Sequence, residues 1–125
     1  MAASTIPFKL ITPTKVVFEG DAELVIAVTT EGEEGILPHH APFLAALKPG
    51  VLRANVVSEG KAERLELATG EGFMQALPDR LTILVDEALQ FADIDVAKTR
   101  EELATATDPT AIDFANAKLR LAGLR

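Results

Sequence analysis

With 125 residues, 48% of them hydrophobic and 25% charged, the chain suits one globular domain with a small appendage and is too apolar to be disordered. A net charge of −7 without any basic stripe argues against a nucleic-acid partner and against adsorption to anionic lipid. The absence of cysteine removes disulfide and thiolate chemistry, and no apolar run approaches the roughly 20 residues that span a bilayer.

The opening stretch MAASTIPFKL has neither the cationic start nor the long apolar segment of a signal peptide. From Phe8 to Asp86 the apolar runs are short, rich in Val, Ile and Leu, and broken by turn residues. Phe8–Thr12 is expected to be a strand closed by Pro13, and Lys15–Phe18 a second one ended by Glu19-Gly20-Asp21. Glu23–Thr30 reads as a longer strand. Leu24, Ile26 and Val28 share one face, and apolar Val25 and Ala27 imply that the other face is covered too.

The stretch from Glu31 to Gly50, EGEEGILPHHAPFLAALKPG, holds three of the eight glycines, three of the seven prolines and both histidines. Such punctuation normally marks a connection. Here it encloses Ile36, Leu37, Phe43, Leu44 and Leu47, which need burial, so the expectation is an ordered loop packed on a sheet. Its tip carries Glu31, Glu33 and Glu34, which read either as a solvated turn or as a docking surface.

Val51–Val57 and Arg64–Thr69 flank Ser58-Glu59-Gly60-Lys61, a hairpin pattern. Phe73–Leu77 and Leu81–Val85 form another pair around Pro78-Asp79-Arg80. Strands at this spacing without intervening helices predict an antiparallel β-sandwich. Near Ala88 the pattern changes. Asp93-Ile94-Asp95 offers an aspartate cap to a first helix, and Asp108-Pro109 starts a second. Phe114, Ala117, Leu121 and Leu124 fall on one stripe of that second helix, with Ile112, Ala115, Leu119 and Ala122 beside it. The expected fold is thus mainly β, with a sandwich over residues 1–87 and an antiparallel two-helix hairpin over 88–125. Alanine-rich helices bury little area each, so the hairpin should detach before the sandwich unfolds.

No catalytic constellation emerges. Adjacent His39 and His40 would point to opposite sides of an extended segment, and nothing supplies the further ligands of a metal site. There is no G-x-S-x-G elbow, and Gly70-Glu71-Gly72 lacks the lysine of a phosphate loop. A bulge or tight turn is the better reading of those glycines. No enzyme activity and no cofactor are expected of this chain alone.

The run Glu31-Gly32-Glu33-Glu34-Gly35-Ile36-Leu37-Pro38-His39-His40-Ala41-Pro42-Phe43-Leu44, followed by Leu47-Lys48-Pro49-Gly50-Val51, closely resembles the signature of the epsilon subunits of F-type ATP synthases. Phe18-Glu19-Gly20, the Gly70-to-Val85 strand pair and Asp93-Ile94-Asp95 also sit where that family has them, so the resemblance covers essentially the whole chain. Gly35, Pro38, His40, Ala41 and Pro42 carry the loop signature; His39 stands where glycine is usual.

The resemblance implies a non-catalytic rotor subunit of the central stalk. In the family the sandwich binds the gamma subunit and rests on the polar loops of the c-ring, which places Glu31, Gly32, Glu33 and Glu34 at the ring. A C-terminal hairpin folds on the sandwich or extends toward the catalytic alpha/beta subunits to restrain ATP hydrolysis, with Lys118, Arg120 and Arg125 as the contact candidates. The implied location is peripheral, on the cytoplasmic face of a bacterial inner membrane. Members that bind ATP on the hairpin carry Ile/Leu-Asp-x-x-Arg-Ala. The window here is Ile94-Asp95-Val96-Ala97-Lys98-Thr99, making Asp95, Lys98 and Arg100 the nucleotide-sensing candidates, with a lysine that lacks the arginine fork. The alternative is a free-standing sandwich that uses the 31–50 loop to bind another protein or a small ligand.

Overall fold

The computed structural model describes residues 4–123. Nine strands follow one another before any α-helix: β1 (Ile6–Thr12), β2 (Lys15–Thr29), β3 (Gly32–Ile36), β4 (Phe43–Leu47), β5 (Gly50–Ser58), β6 (Lys61–Thr69), β7 (Gly72–Leu77), β8 (Arg80–Val85) and β9 (Ala88–Leu89). A 3₁₀ turn (Phe91–Asp93) then leads into α1 (Val96–Thr105) and α2 (Pro109–Gly123). This is the expected sandwich with a helical hairpin behind it.

The strand order is β1-β8-β7-β4-β2-β5-β6-β9, with β3 also on β2 and β1 returning to β2. One layer is therefore β4-β7-β8-β1, and the other β3-β2-β5-β6-β9. Strand β2 belongs to both. Its first part pairs with β1, its middle with β5 and its end with β3. Register breaks at Leu10/Ile11 and at Ala22/Leu24 mark the bend that carries it between layers.

Glu19-Gly20-Asp21 thus does not end a strand. β1 pairs straight across it, Gly20 facing Phe8, and this unbroken partner holds the segment extended. The Phe18 ring lies over Gly20 and stacks on Phe8 at a centroid distance of 5.5 Å, filling the space that a missing side chain leaves. A second difference is the β1–β8 pair, which is parallel where every other pairing among the described residues is antiparallel.

Between the layers lie Phe8, Leu10, Val25, Ile36, Leu52, Leu67, Met74, Leu81 and Ile83, each fully enclosed. Burying such a side chain contributes about 1.5–3 kcal/mol, so this interior dominates the stability of the chain. No residue of α1 or α2 belongs to it. The helices use a second, smaller cluster: Ala117 and Leu121 of α2 against Val51 of β5 and Ala68 of β6, flanked by Ile94 and Phe114. That is the first of the two expected α2 stripes; Leu124, also assigned to it, lies outside the described residues.

The glycines at 70–72 serve the backbone. A Cβ on Gly72 would overlap the carbonyl oxygen of Leu84, and one on Gly70 the carboxylate of Asp86. Gly70 N–H donates to the Glu87 carbonyl at 2.9 Å and Asp86 N–H to the Glu71 carbonyl at 2.9 Å, which stitches the entry of β7 to the exit of β8.

The 31–50 stretch is more regular than a packed loop. It forms β3 and β4 around a turn at 37–42. Ile36 and Leu47 are buried as expected, but Leu37 and Leu44 are exposed. Leu44 faces outward by strand alternation along β4, and Leu37 belongs to the turn that follows β3. His39 occupies the left-handed region with φ 65°, so the backbone keeps a glycine-like conformation under a side chain that strains it. Replacing His39 with glycine is expected to raise stability by about 0.5 kcal/mol, the relieved strain outweighing the added chain entropy. A urea midpoint shifted upward at unchanged slope checks this.

The first helix starts later than Asp93. Asp95 is the cap of α1, its Oδ1 accepting the Lys98 N–H at 3.1 Å, while Asp93 closes the 3₁₀ turn, its N–H donating to the Gln90 carbonyl at 2.9 Å and its Oδ2 accepting the Gln90 N–H at 3.4 Å. Two candidate caps two residues apart are divided between two successive turns.

Candidate functional site

The acidic tip is built on Thr29. Its hydroxyl donates to the Gly32 carbonyl at 2.7 Å and accepts the Glu31 N–H at 3.1 Å, and Gly32 supplies the positive φ of 120° that closes the turn. Glu31, Glu33 and Glu34 are all exposed, but they do not converge. Glu31 sits in the turn, whereas Glu33 and Glu34 are neighbours on β3 and so point to opposite faces. Glu33 accepts from Arg53 Nη2 at 2.6 Å, across β2. Charged residues on a short edge strand also discourage pairing with another sheet, and that is the purely structural account of this acidic run.

The tip is fastened to the start of a second surface. Thr30 N–H donates to the Ala46 carbonyl at 3.1 Å, and Lys48 N–H to the Val28 carbonyl at 3.1 Å. From Ala46 the register runs straight across the outer face of one layer: Ala46 opposite Phe73, Phe73 opposite Leu84, Leu84 opposite Ile11, Ile11 opposite Val16. Phe73 is 58% exposed, Val16 49% and Leu84 47%, and Leu44, one row away on the same face, reaches 71%. Five apolar positions in one cross-strand row, on a sheet whose interior is already filled, form an unpartnered apolar face.

Sequence reasoning missed this row. Its signal was present, since Phe73 and Leu84 break the alternation expected of a solvent-facing strand side, but their partnership depends on the parallel β1–β8 pairing, which no local pattern announces.

At the other end of β3, His40 Nδ1 lies 2.7 Å from the Ala41 carbonyl and the ring packs on Phe43 at 4.7 Å between centroids. Pro38 is half-buried beside it, and Ala41 and Pro42 lie on the surface. These signature residues shape the turn that joins β3 to β4. Among the described residues no group of three or more His, Asp or Glu could hold a metal ion.

The hairpin carries the remaining candidates. Asp108 caps α2, accepting the Ala111 N–H at 3.1 Å. Lys98, Arg100 and Arg120 are exposed, and Arg125 lies outside the described residues. Lys118 is different: it is only 8% exposed, its Nζ lies 3.1 Å from Glu102 Oε1 of α1, and it stands 4.8 Å from the Phe114 ring centre. A crevice of about 410 Å³ separates the hairpin from the sandwich, walled by Glu71, Asp86 and Glu87 on one side and Glu102, Asp108 and Lys118 on the other. This lining does not fit a triphosphate. Its single cation is already paired, its other charges are negative, and neither Lys98 nor Arg100 reaches it.

A sandwich with an open apolar face, an acidic turn joined to it and a small helical pair on the opposite layer has the geometry of a protein-binding module. Residues 5–91 match the family described as "ATP synthase, Delta/Epsilon chain, beta-sandwich domain". The chain is 38% identical over 124 residues to the ATP synthase epsilon chain of Xanthomonas axonopodis pv. citri, covering 95% of this chain and 86% of that one. It is 38% identical over 100 residues to that of Chromobacterium violaceum, covering 80% and 70%, and 35% identical over 106 residues to that of Rhodospirillum rubrum, covering 85% and 77%. This protein belongs to the ATP synthase delta/epsilon chain family, and its relatives identify it as epsilon-type. The fold also matches a chain of the Euglena gracilis mitochondrial ATP synthase OSCP/F1/c-ring structure, with a TM-score of 0.66 at 19% identity over 98% of this chain and 80% of that one. A chain of the Tetrahymena thermophila mitochondrial ATP synthase central stalk/c-ring structure gives 0.60 at 19% identity, covering 99% and 96%.

Proposed function

We propose that this chain is a rotor component of the central stalk, transmitting proton-driven rotation of a c-ring through a gamma subunit to ATP synthesis. Residues 1–87 are the binding unit and residues 88–125 a regulatory hairpin. The observation that carries the reading is the apolar row from Ala46 to Val16, joined by the Thr30–Ala46 hydrogen bond to the acidic turn. A torque-bearing part needs two adjoining contacts, one to each neighbour, and this arrangement offers them side by side. The apolar row is the seat of gamma, and the turn at Glu31, Gly32, Glu33 and Glu34 faces the polar loops of the ring.

Exposed ion pairs contribute only about 0–1 kcal/mol, so the carboxylates set register while the apolar face supplies affinity. The site of action is the cytoplasmic face of a bacterial inner membrane, reached through these partners. Among the described residues no helix is long and apolar enough to cross a membrane. The catalytic alpha/beta subunits become partners when the hairpin extends.

The test is purification of the tagged chain from its own membranes. A stoichiometric complex with gamma and the ring is expected, and a tagged chain recovered alone overturns the reading in favour of a free-standing binding module. In the same complex, cysteine at Glu31 is expected to crosslink to a ring loop more efficiently than cysteine at Glu33, whose side chain turns toward Arg53. Equal labelling of both by a bulk reagent, with no ring adduct, counts against the assignment of the turn.

A further inference from the structure

The Lys118–Glu102 pair is the ion pair that joins the two helices among the described residues. The two residues are 16 apart in the chain and tie α1 to α2 at 3.1 Å. Phe114, one turn earlier on α2, stands 4.8 Å from the ammonium, and Lys118 is almost wholly enclosed. Every other charged group on the crevice is an acid: Glu71, Asp86 and Glu87 from the sandwich and Asp108 from the cap of α2. Lys118 thus meets one carboxylate directly, that of the half-exposed Glu102, on a crevice whose remaining charges are all negative. α1 has little else. Thr99 is its only fully buried residue, and the apolar seat on the sandwich is made by α2 together with Ile94, which precedes α1.

We propose that Lys118, Glu102 and Phe114 form an internal clasp that holds α1 against α2 in the docked hairpin without any nucleotide. A polyphosphate bound between hairpin and sandwich would have to take Lys118 from Glu102 and then sit among Glu71, Asp86, Glu87 and Asp108. The clasp occupies the place where an anionic ligand could bridge the helices. Lys118 and Glu102 are positioning residues, and the inference holds whether or not the hairpin restrains ATP hydrolysis.

Hydrogen exchange on the full chain tests it. Lys118→Met keeps the aliphatic stem and removes the charge. It is expected to speed exchange of the α1 amides by about three- to tenfold, the equivalent of one lost hydrogen bond to a half-exposed carboxylate, while β1, β7 and β8 keep their protection. Glu102→Ala is expected to do the same, and Lys118→Arg to retain most of the protection. Unchanged α1 exchange in both the Met and Ala variants overturns the clasp. So does equal loss across β5 and β6, which would make the pair a docking contact. Millimolar Mg-ATP is expected to leave the exchange of α1 and α2 and the melting temperature of the native chain unchanged. Protection of either helix by ATP overturns the nucleotide-independence.

Discussion

Glutamate in place of Phe73 is expected to weaken binding of this chain to gamma by about a hundredfold or more. Phe73 lies at the middle of the apolar row, between Ala46 and Leu84, and more than half of it is open in the isolated chain. Covering a phenylalanine contributes about 1.5–3 kcal/mol, and central aromatic residues are where interface energy concentrates. The substitution removes that gain and adds a charge that must be stripped of water in the contact. Because the ring fills no part of the interior, the variant should fold normally, with stability within about 0.5 kcal/mol of the native chain. Ala62→Glu makes the same charge change on the exposed part of β6 and should leave assembly intact. Binding titration with purified gamma, alongside melting curves, separates the outcomes. Native-like affinity in the Phe73 variant would move the gamma seat off this face.

The two halves of that surface were not equally legible beforehand. Glu31, Glu33 and Glu34 stand out because acids and glycines clustered between apolar runs are a local signal. Their divergence is harder to see, because glycines and prolines make 31–50 look like a loop, and the alternation of Glu33 and Glu34 follows only from the strand at Gly32–Ile36. The apolar row was invisible for a different reason. Ala46, Phe73, Leu84, Ile11 and Val16 come from five strands, and the register joining Ile11 to Leu84 is a parallel pairing between the first strand and the eighth. Helix caps were legible in kind but not in place, since Asp93 and Asp95 are equivalent by composition and only the 3₁₀ turn distinguishes them. Lys118 shows the limit on the helical side. Its charge suggested an outward contact, but the crevice walls and Glu102, sixteen residues away, turn it inward.

That inward turn changes what removal of α2 should reveal. The interior of the sandwich contains no helical residue, so a chain lacking residues 109–125 uncovers only the Val51–Ala68 patch and should still assemble with gamma. If the extended hairpin restrains the catalytic subunits, the truncated complex is expected to hydrolyse ATP about threefold faster or more, a change of at least about 0.6 kcal/mol in barrier, with coupling retained. Among the cations of α2, Arg120 is free in the last turn, where it also suits the helix dipole. Arg120→Ala alone should reproduce part of the acceleration if that side chain meets an acidic segment of the catalytic ring, and none of it if the arginine serves only the dipole. Lys118→Ala acts by another route. It breaks the pair with Glu102 and loosens α1, so it should alter the α1 exchange of the full chain as well as hydrolysis, whereas Arg120→Ala should leave exchange unchanged. Hydrolysis measured on assembled complexes at matched gamma content distinguishes these cases. Equal rates for native and truncated complexes would leave the hairpin without an inhibitory role.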